Sequence, residues 1–333
     1  MPDTFSASLT LAGIFFALKY VKAELPYKKY LLLALTTSLL ALGLLCKIPS
    51  LTIVGFLLFP IFDKRIATKT KAGIVLAGII ALNIALWWYD SWNPILLKNG
   101  AHQIIFPLSF VDGLTTFTQH IPGMLEKFYF SALSSYVGFL VFLSGFIWAY
   151  LKKQIKLLTV FTLSLILFTA FIIKASSFFY FHNYYIIPFV PFMAMMAGFA
   201  ISSIKIPVLK NFLVFLIIIE AILNQQHDFR IPPQMVYKVS LEKKIDRYAK
   251  PLEKIILNTG PNIQQLYFAN RTGWLLEEPQ SIQKSFLDSI SNKQYSLVVL
   301  DRKVNTTYQS AEFATVFSDE NYLFLKPLAS IVK

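Results

Sequence analysis

The feature that most constrains this chain is a recurring apolar run. Stretches near the length of a membrane-crossing helix, about 20 residues, fall at about 4–21, 30–46, 73–89, 134–151, 157–173, 184–203 and 211–224. An eighth, LTIVGFLLFPIF over 51–62, is shorter and contains Pro60. With the CKIPS turn before it, it reads as a tight helical hairpin. A mean hydropathy of +0.57 with 56% hydrophobic residues excludes an ordinary soluble enzyme. The expectation is a mainly α polytopic membrane protein of about eight transmembrane helices over residues 1–225, with both chain ends on one side.

Charge placement predicts the orientation. Alternate short loops contain Lys19, Lys22, Lys28 and Lys29, then Lys64, Arg65, Lys69 and Lys71, then Lys152, Lys153 and Lys156, then Lys205 and Lys210. The opposite loops before residue 226 hold only Lys47, Lys98, Lys127 and Lys174. By the positive-inside rule the first set is cytoplasmic. Asp3, the CKIPS turn, the 90–133 segment, the KASSFFYFHNYY segment and everything after 225 are then expected on the periplasmic or outer face. Most of the net +13 lies in the membrane half, so it does not mark a nucleic-acid surface. The single cysteine, Cys46, excludes a disulfide framework or a cysteine-rich metal site.

Residues 226–333 change character. SLEKKIDRYAKPLEKI reads as an amphipathic helix interrupted near Pro251. KIILNT, QLYFAN, YSLVVLD and ENYLFLKP read as strands, with SIQKSFLDSISNKQ helical between two of them. Strands alternating with helices predict a small extramembrane α/β domain.

The candidate chemistry clusters on the outer side. The 90–133 segment mixes interfacial tryptophans with Asp90, His102, Asp112 and His120, and its half-apolar character predicts helices lying on the membrane surface. Two readings stay open there: a lipid-surface cover, or one wall of a site for an amphipathic substrate. No HExxH-type spacing supports His102 and His120 as a metal pair. The second outward loop places Lys174, His182, Asn183, Tyr184 and Tyr185 above a helix containing Pro188 and Pro191. A cation, an imidazole and phenols at that depth suit a lipid phosphate, or else form an aromatic belt with a snorkelling lysine. Lys47 is a phosphate ligand or an end anchor. Glu220 is an intramembrane acid and so a functional candidate. Asn270 and Asn305 open glycosylation-type triplets, a weak signal. No GxGxxG, P-loop, GxSxG or HExxH motif is present.

The order of MPDTF, LALGLLCKIPSLTIVGFLLFP and FHNYYIIPFVPFMA resembles the GT-C glycosyltransferases, specifically the family 39, protein-mannosyltransferase-like and aminoarabinose-transferase-like group. The tail LYFANRTGWLLEEP followed by ENYLFLK is similar to the small outer domain of some members. The resemblance implies transfer of a sugar from a polyprenyl-phosphate donor to a lipid, glycan or protein acceptor on the outer face, with no nucleic-acid partner. A metal-bound or base-activated acceptor attacks the anomeric carbon and lipid phosphate leaves. Asp3 matches the family's second outward acid and Lys47 its turn lysine, although Ile48 and Pro49 replace the usual glycine context. His182 and Tyr185 match the lipid-phosphate region, with Lys174 as their neighbour. Family members carry a further helix and a first acidic loop before this point. By the resemblance Met1 is then an internal methionine, and the chain alone lacks the first acid. A lipid-linked saccharide flippase and a membrane-anchored receptor are the competing expectations. Repeated halves, which mark many transporters, are not visible.

Overall fold

A computed structural model describes residues 2–99, 109–259, 263–276, 295–304 and 313–328. It is mostly helical, and the chain divides into two compact units, Met1–His227 and Asp228–Lys333.

Five helices of the first unit are long and apolar enough to cross a membrane: Pro2–Lys22, Pro26–Cys46, Thr68–Lys98, Ile155–Ala175 and Pro207–Gln225. A sixth crossing is counted if Ile121–Ser131 and Tyr136–Leu151, bent by 94° at their junction, form one broken span. Two expected crossings are helices shorter than a full span, Ile48–Ile61 and Val190–Ser203. The 51–62 stretch is a chain of one-turn pieces from Ile48 to Ile61, which contains Pro49 and Pro60. The run at 184–203 is regular helix only over Val190–Ser203. Proline lacks the N–H that would continue a helix ladder, so Pro188 and Pro191 fit a start and not an interior. The Pro207–Gln225 helix buries no residue, the composition of a lipid-facing span.

Two apolar cores hold these helices. One joins Pro2–Lys22 and Pro26–Cys46 to Thr68–Lys98 through Ile14, Leu40, Leu44, Ile53 and Ile74. The other, rich in Phe, joins Tyr136–Leu151, Ile155–Ala175 and Val190–Ser203. Phe56 on the broken helix stacks on Phe192 at 4.2 Å between centroids and links the two. Small residues allow the closest approaches, as in membrane bundles generally. At Gly43 a Cβ would meet the Thr10 side chain and lie 3.1 Å from the Ser6 carbonyl, and at Gly145 it would run into the Met196 backbone.

Glu220 has a structural explanation. Its carboxylate accepts from Ser135 Oγ and from the Tyr136 and Val137 amides, all at the start of Tyr136–Leu151. These amides have no partner inside their helix, and negative charge suits that end of the helix dipole. Four residues on, Asn224 Nδ2 donates to the Ser134 carbonyl.

The second unit is a five-stranded sheet in the order β2-β1-β3-β5-β4: β1 (Ile255–Leu257), β2 (Gly273–Leu275), β3 (Leu297–Asp301), β4 (Phe313–Ser318) and β5 (Tyr322–Pro327). The β1–β2 and β1–β3 pairs are parallel, and β3–β5 and β4–β5 are antiparallel. β3 is buried at every residue, as a central strand covered on both faces must be. The strand expected over QLYFAN is instead the helix Gln264–Ala269, ended by Asn270 in the left-handed region. Asparagine tolerates that conformation better than most residues, so the triplet asparagine is a helix terminator here. The helix expected over SIQKSFLDSISNKQ, and Asn305, lie outside the described residues.

Asp301, fully buried at the end of β3, accepts from the Tyr237 hydroxyl and from Gln265 Nε2. Burial, then the bond to Asp301, push the Tyr237 phenol well above its ordinary value. Burial and the Asp301 charge do the same for Tyr322, whose hydroxyl has no hydrogen-bond partner. The folded state therefore keeps protons that the unfolded chain releases as pH rises past 10.0, so this stability is present below that pH and lost above it. We expect the thermal midpoint of the chain to fall more steeply above pH 10.0 in the wild type than in Tyr322→Phe. At neutral pH the same substitution removes an unpaired buried hydroxyl and should raise stability by about 1 kcal/mol. Parallel pH profiles would remove Tyr322 from the account.

Candidate functional site

The first helix brings Asp3 against the end of the second. Ser6 Oγ donates to the Gly43 carbonyl at 2.6 Å and lies 2.6 Å from Ser50 Oγ, while Thr10 Oγ1 bonds back to the Ser6 carbonyl at 2.9 Å. This polar knot ties Pro2–Lys22 to the turn after Cys46. It leaves Asp3 only 4% exposed, with Lys47 Nζ 3.5 Å from its Oδ1. That oxygen accepts no hydrogen bond, so the lysine supplies charge compensation without a well-aligned bond.

Lys47 leaves the helix in extended conformation. Its ammonium lies 5.0 Å from the centre of the Tyr185 ring and 5.7 Å from that of Tyr184, within range of attraction to the ring faces. Both tyrosines come from the 3-10 turn Asn183–Ile186, and the His182 ring stacks on Tyr184 at 5.0 Å. Asp3, Lys47, His182, Tyr184 and Tyr185 thus form one connected cluster.

Beside this cluster is a cavity of about 440 Å³. Lys47, Lys174 and Tyr185 line it together with Tyr89, whose hydroxyl donates to the Leu45 carbonyl at 3.2 Å. The rest of its wall is chiefly apolar, including Leu51, Leu167 and Phe171. Leu51 and Leu167 also line a second, more open groove of about 390 Å³ along the broken helix, between Thr68–Lys98 and Ile155–Ala175. Two cations and two phenols thus line a largely apolar cavity.

The remaining candidates are elsewhere. Asp112 lies in the first turn of Phe110–Gln119, which Ser109 caps: Ser109 Oγ accepts from the Asp112 amide and donates to its carboxylate. His120 stacks on Tyr180 at 4.6 Å. Asp90 is exposed on the Thr68–Lys98 helix. None of the three lines the Lys47 cavity. His102 lies outside the described residues. Among the described residues no three His, Cys, Asp or Glu side chains group as metal ligands.

Tyr89 on the cavity wall and Lys127 were not singled out by sequence reasoning. Lys127 is only 8% exposed and donates to Asn183 Oδ1. In the sequence it is one more lysine of a polar loop, and nothing local distinguishes it.

No family model, curated protein or solved structure matches this chain.

Proposed function

We propose that the chain binds a polyprenyl-phosphate-linked sugar and serves its transfer to a lipid, glycan or protein acceptor at the outer membrane face, as an integral-membrane glycosyltransferase. The observation that carries this reading is the joining of Lys47, Lys174 and Tyr185 on one cavity that shares the wall residues Leu51 and Leu167 with an apolar groove. A lipid phosphate needs charge-assisted donors at the interface and a dry path for its tail. On this reading the two short helices complete eight crossings, the lysine-rich loops face the cytoplasm and the sheet unit is periplasmic.

The pair Asp3–Lys47 then has a chemical use. An arriving phosphate competes with Asp3 for the lysine ammonium and frees the carboxylate. The acceptor hydroxyl attacks the anomeric carbon and its proton goes to Asp3. The bond from that carbon to the phosphate oxygen breaks, and the lipid phosphate leaves.

The test is binding by the full chain in nanodiscs of decaprenyl phosphate against decaprenol. We expect the phosphate to bind at least about tenfold tighter, and Lys174→Met to remove most of that preference. Equal affinity for the alcohol sinks the reading. Movement of a labelled sugar-lipid across vesicles without transfer product would favour a flippase instead.

A further inference from the structure

We infer that Lys127 is a positioning residue of this site, acting through Asn183 on the tyrosines that flank Lys47; the inference rests on the lipid-phosphate reading above. Lys127 opens the π-helical turn Lys127–Ser131. Its neighbour Phe128 is set into the aromatic core, 6.1 Å from Phe168, 6.2 Å from Phe179 and 6.0 Å from Phe189 between centroids. The backbone at 127 is therefore held by packing, and the ammonium is delivered to a fixed place. There it donates to the Asn183 side chain, 56 residues away in sequence.

Asn183 is the first residue of the 3-10 turn Asn183–Ile186, so its anchor sets where that turn begins. The next two residues are Tyr184 and Tyr185, whose rings stand 5.7 and 5.0 Å from Lys47 Nζ. The line of contact runs from Lys127 through Asn183 to the tyrosines, then to Lys47 and Asp3. A buried ammonium is costly unless it is paired. An ammonium has three N–H donors, and one of them is committed to a neutral amide. No carboxylate among the described residues lies within ion-pair distance of Lys127. The lysine stem spans from the packed π-helical turn to Asn183, a reach that shorter donors lack.

The experiment uses the full chain in nanodiscs, with decaprenyl phosphate and decaprenol as probes. Lys127→Met and Asn183→Leu should each weaken phosphate binding about tenfold, the loss of a charge-assisted contact, and leave decaprenol binding unchanged. The double variant should be no weaker than either single one, because both remove the same link. If both single variants keep wild-type phosphate affinity while Lys174→Met loses it, the positioning role fails and the lipid-phosphate reading stands. If the wild type does not distinguish phosphate from alcohol, the reading fails and takes this role with it. Equal losses for both probes show a merely structural lysine and overturn the inference.

Discussion

Lys47→Met should destabilise the chain by about 3 kcal/mol, several times more than Asp3→Asn, although the two residues form one ion pair. The asymmetry follows from where the two charges sit. The Asp3 side chain is 4% exposed and Lys47 27%. Removing the lysine leaves a carboxylate in a nearly dry place, with one oxygen that no hydrogen bond reaches. Breaking a buried pair from that side carries the full desolvation penalty of the remaining charge. Asp3→Asn instead leaves a half-solvated ammonium that still faces two tyrosine rings, and it keeps the volume of the side chain. The double variant Asp3→Asn with Lys47→Met should therefore recover much of the stability lost in Lys47→Met alone. Thermal unfolding in detergent checks the order of the three. If Asp3→Asn were the most damaging, the carboxylate would be held by something other than this lysine.

Gly145→Ala should cost about 2–3 kcal/mol, against the intrinsic preference of a helix for alanine, which is worth about 1 kcal/mol in the other direction. Gly145 lies within Tyr136–Leu151, and its missing side chain lets that helix rest on the Met196 backbone of Val190–Ser203. The added methyl would enter the Met196 carbonyl group, which belongs to a helix and cannot swing aside as a side chain can. Gly198, on the same Val190–Ser203 helix, has nothing within 4 Å of an added Cβ. Gly198→Ala should accordingly be neutral or stabilising by up to about 1 kcal/mol. Unfolding of both variants in mixed micelles separates close backbone packing from propensity. Equal behaviour of the two glycines would mean that the helix pair adjusts freely.

The candidate site was unevenly legible. Asp3, Lys47, His182, Tyr184 and Tyr185 could be singled out because each is polar at the edge of a long apolar run, where a polar group is conspicuous. Lys174 could be singled out for the same reason. Lys127 could not, since its segment already contains polar residues and its burial depends on Asn183, far along the chain. Glu220 was legible as an acid in an apolar helix, but its partners were not: it caps a neighbouring helix that the sequence does not place beside it. QLYFAN misled through its β-prone residues, and Asn270 ended a short helix there instead.

The sequence by itself determined the helical, apolar character of the first two thirds and the change to a mixed α/β unit near residue 226. Those properties rest on composition and local periodicity, which a single strand of text contains in full. The edges of the sheet were less legible: β2 and β4 are half-exposed strands without a continuous apolar run. Only the tertiary structure decided that Asp3 meets Lys47, that Lys47 and Lys174 share a cavity, and that Lys127 reaches Asn183. Each of these depends on how closely one helix can approach another, and that distance is set by glycines, hydroxyls and packed rings on different segments. No local window of the sequence holds both partners.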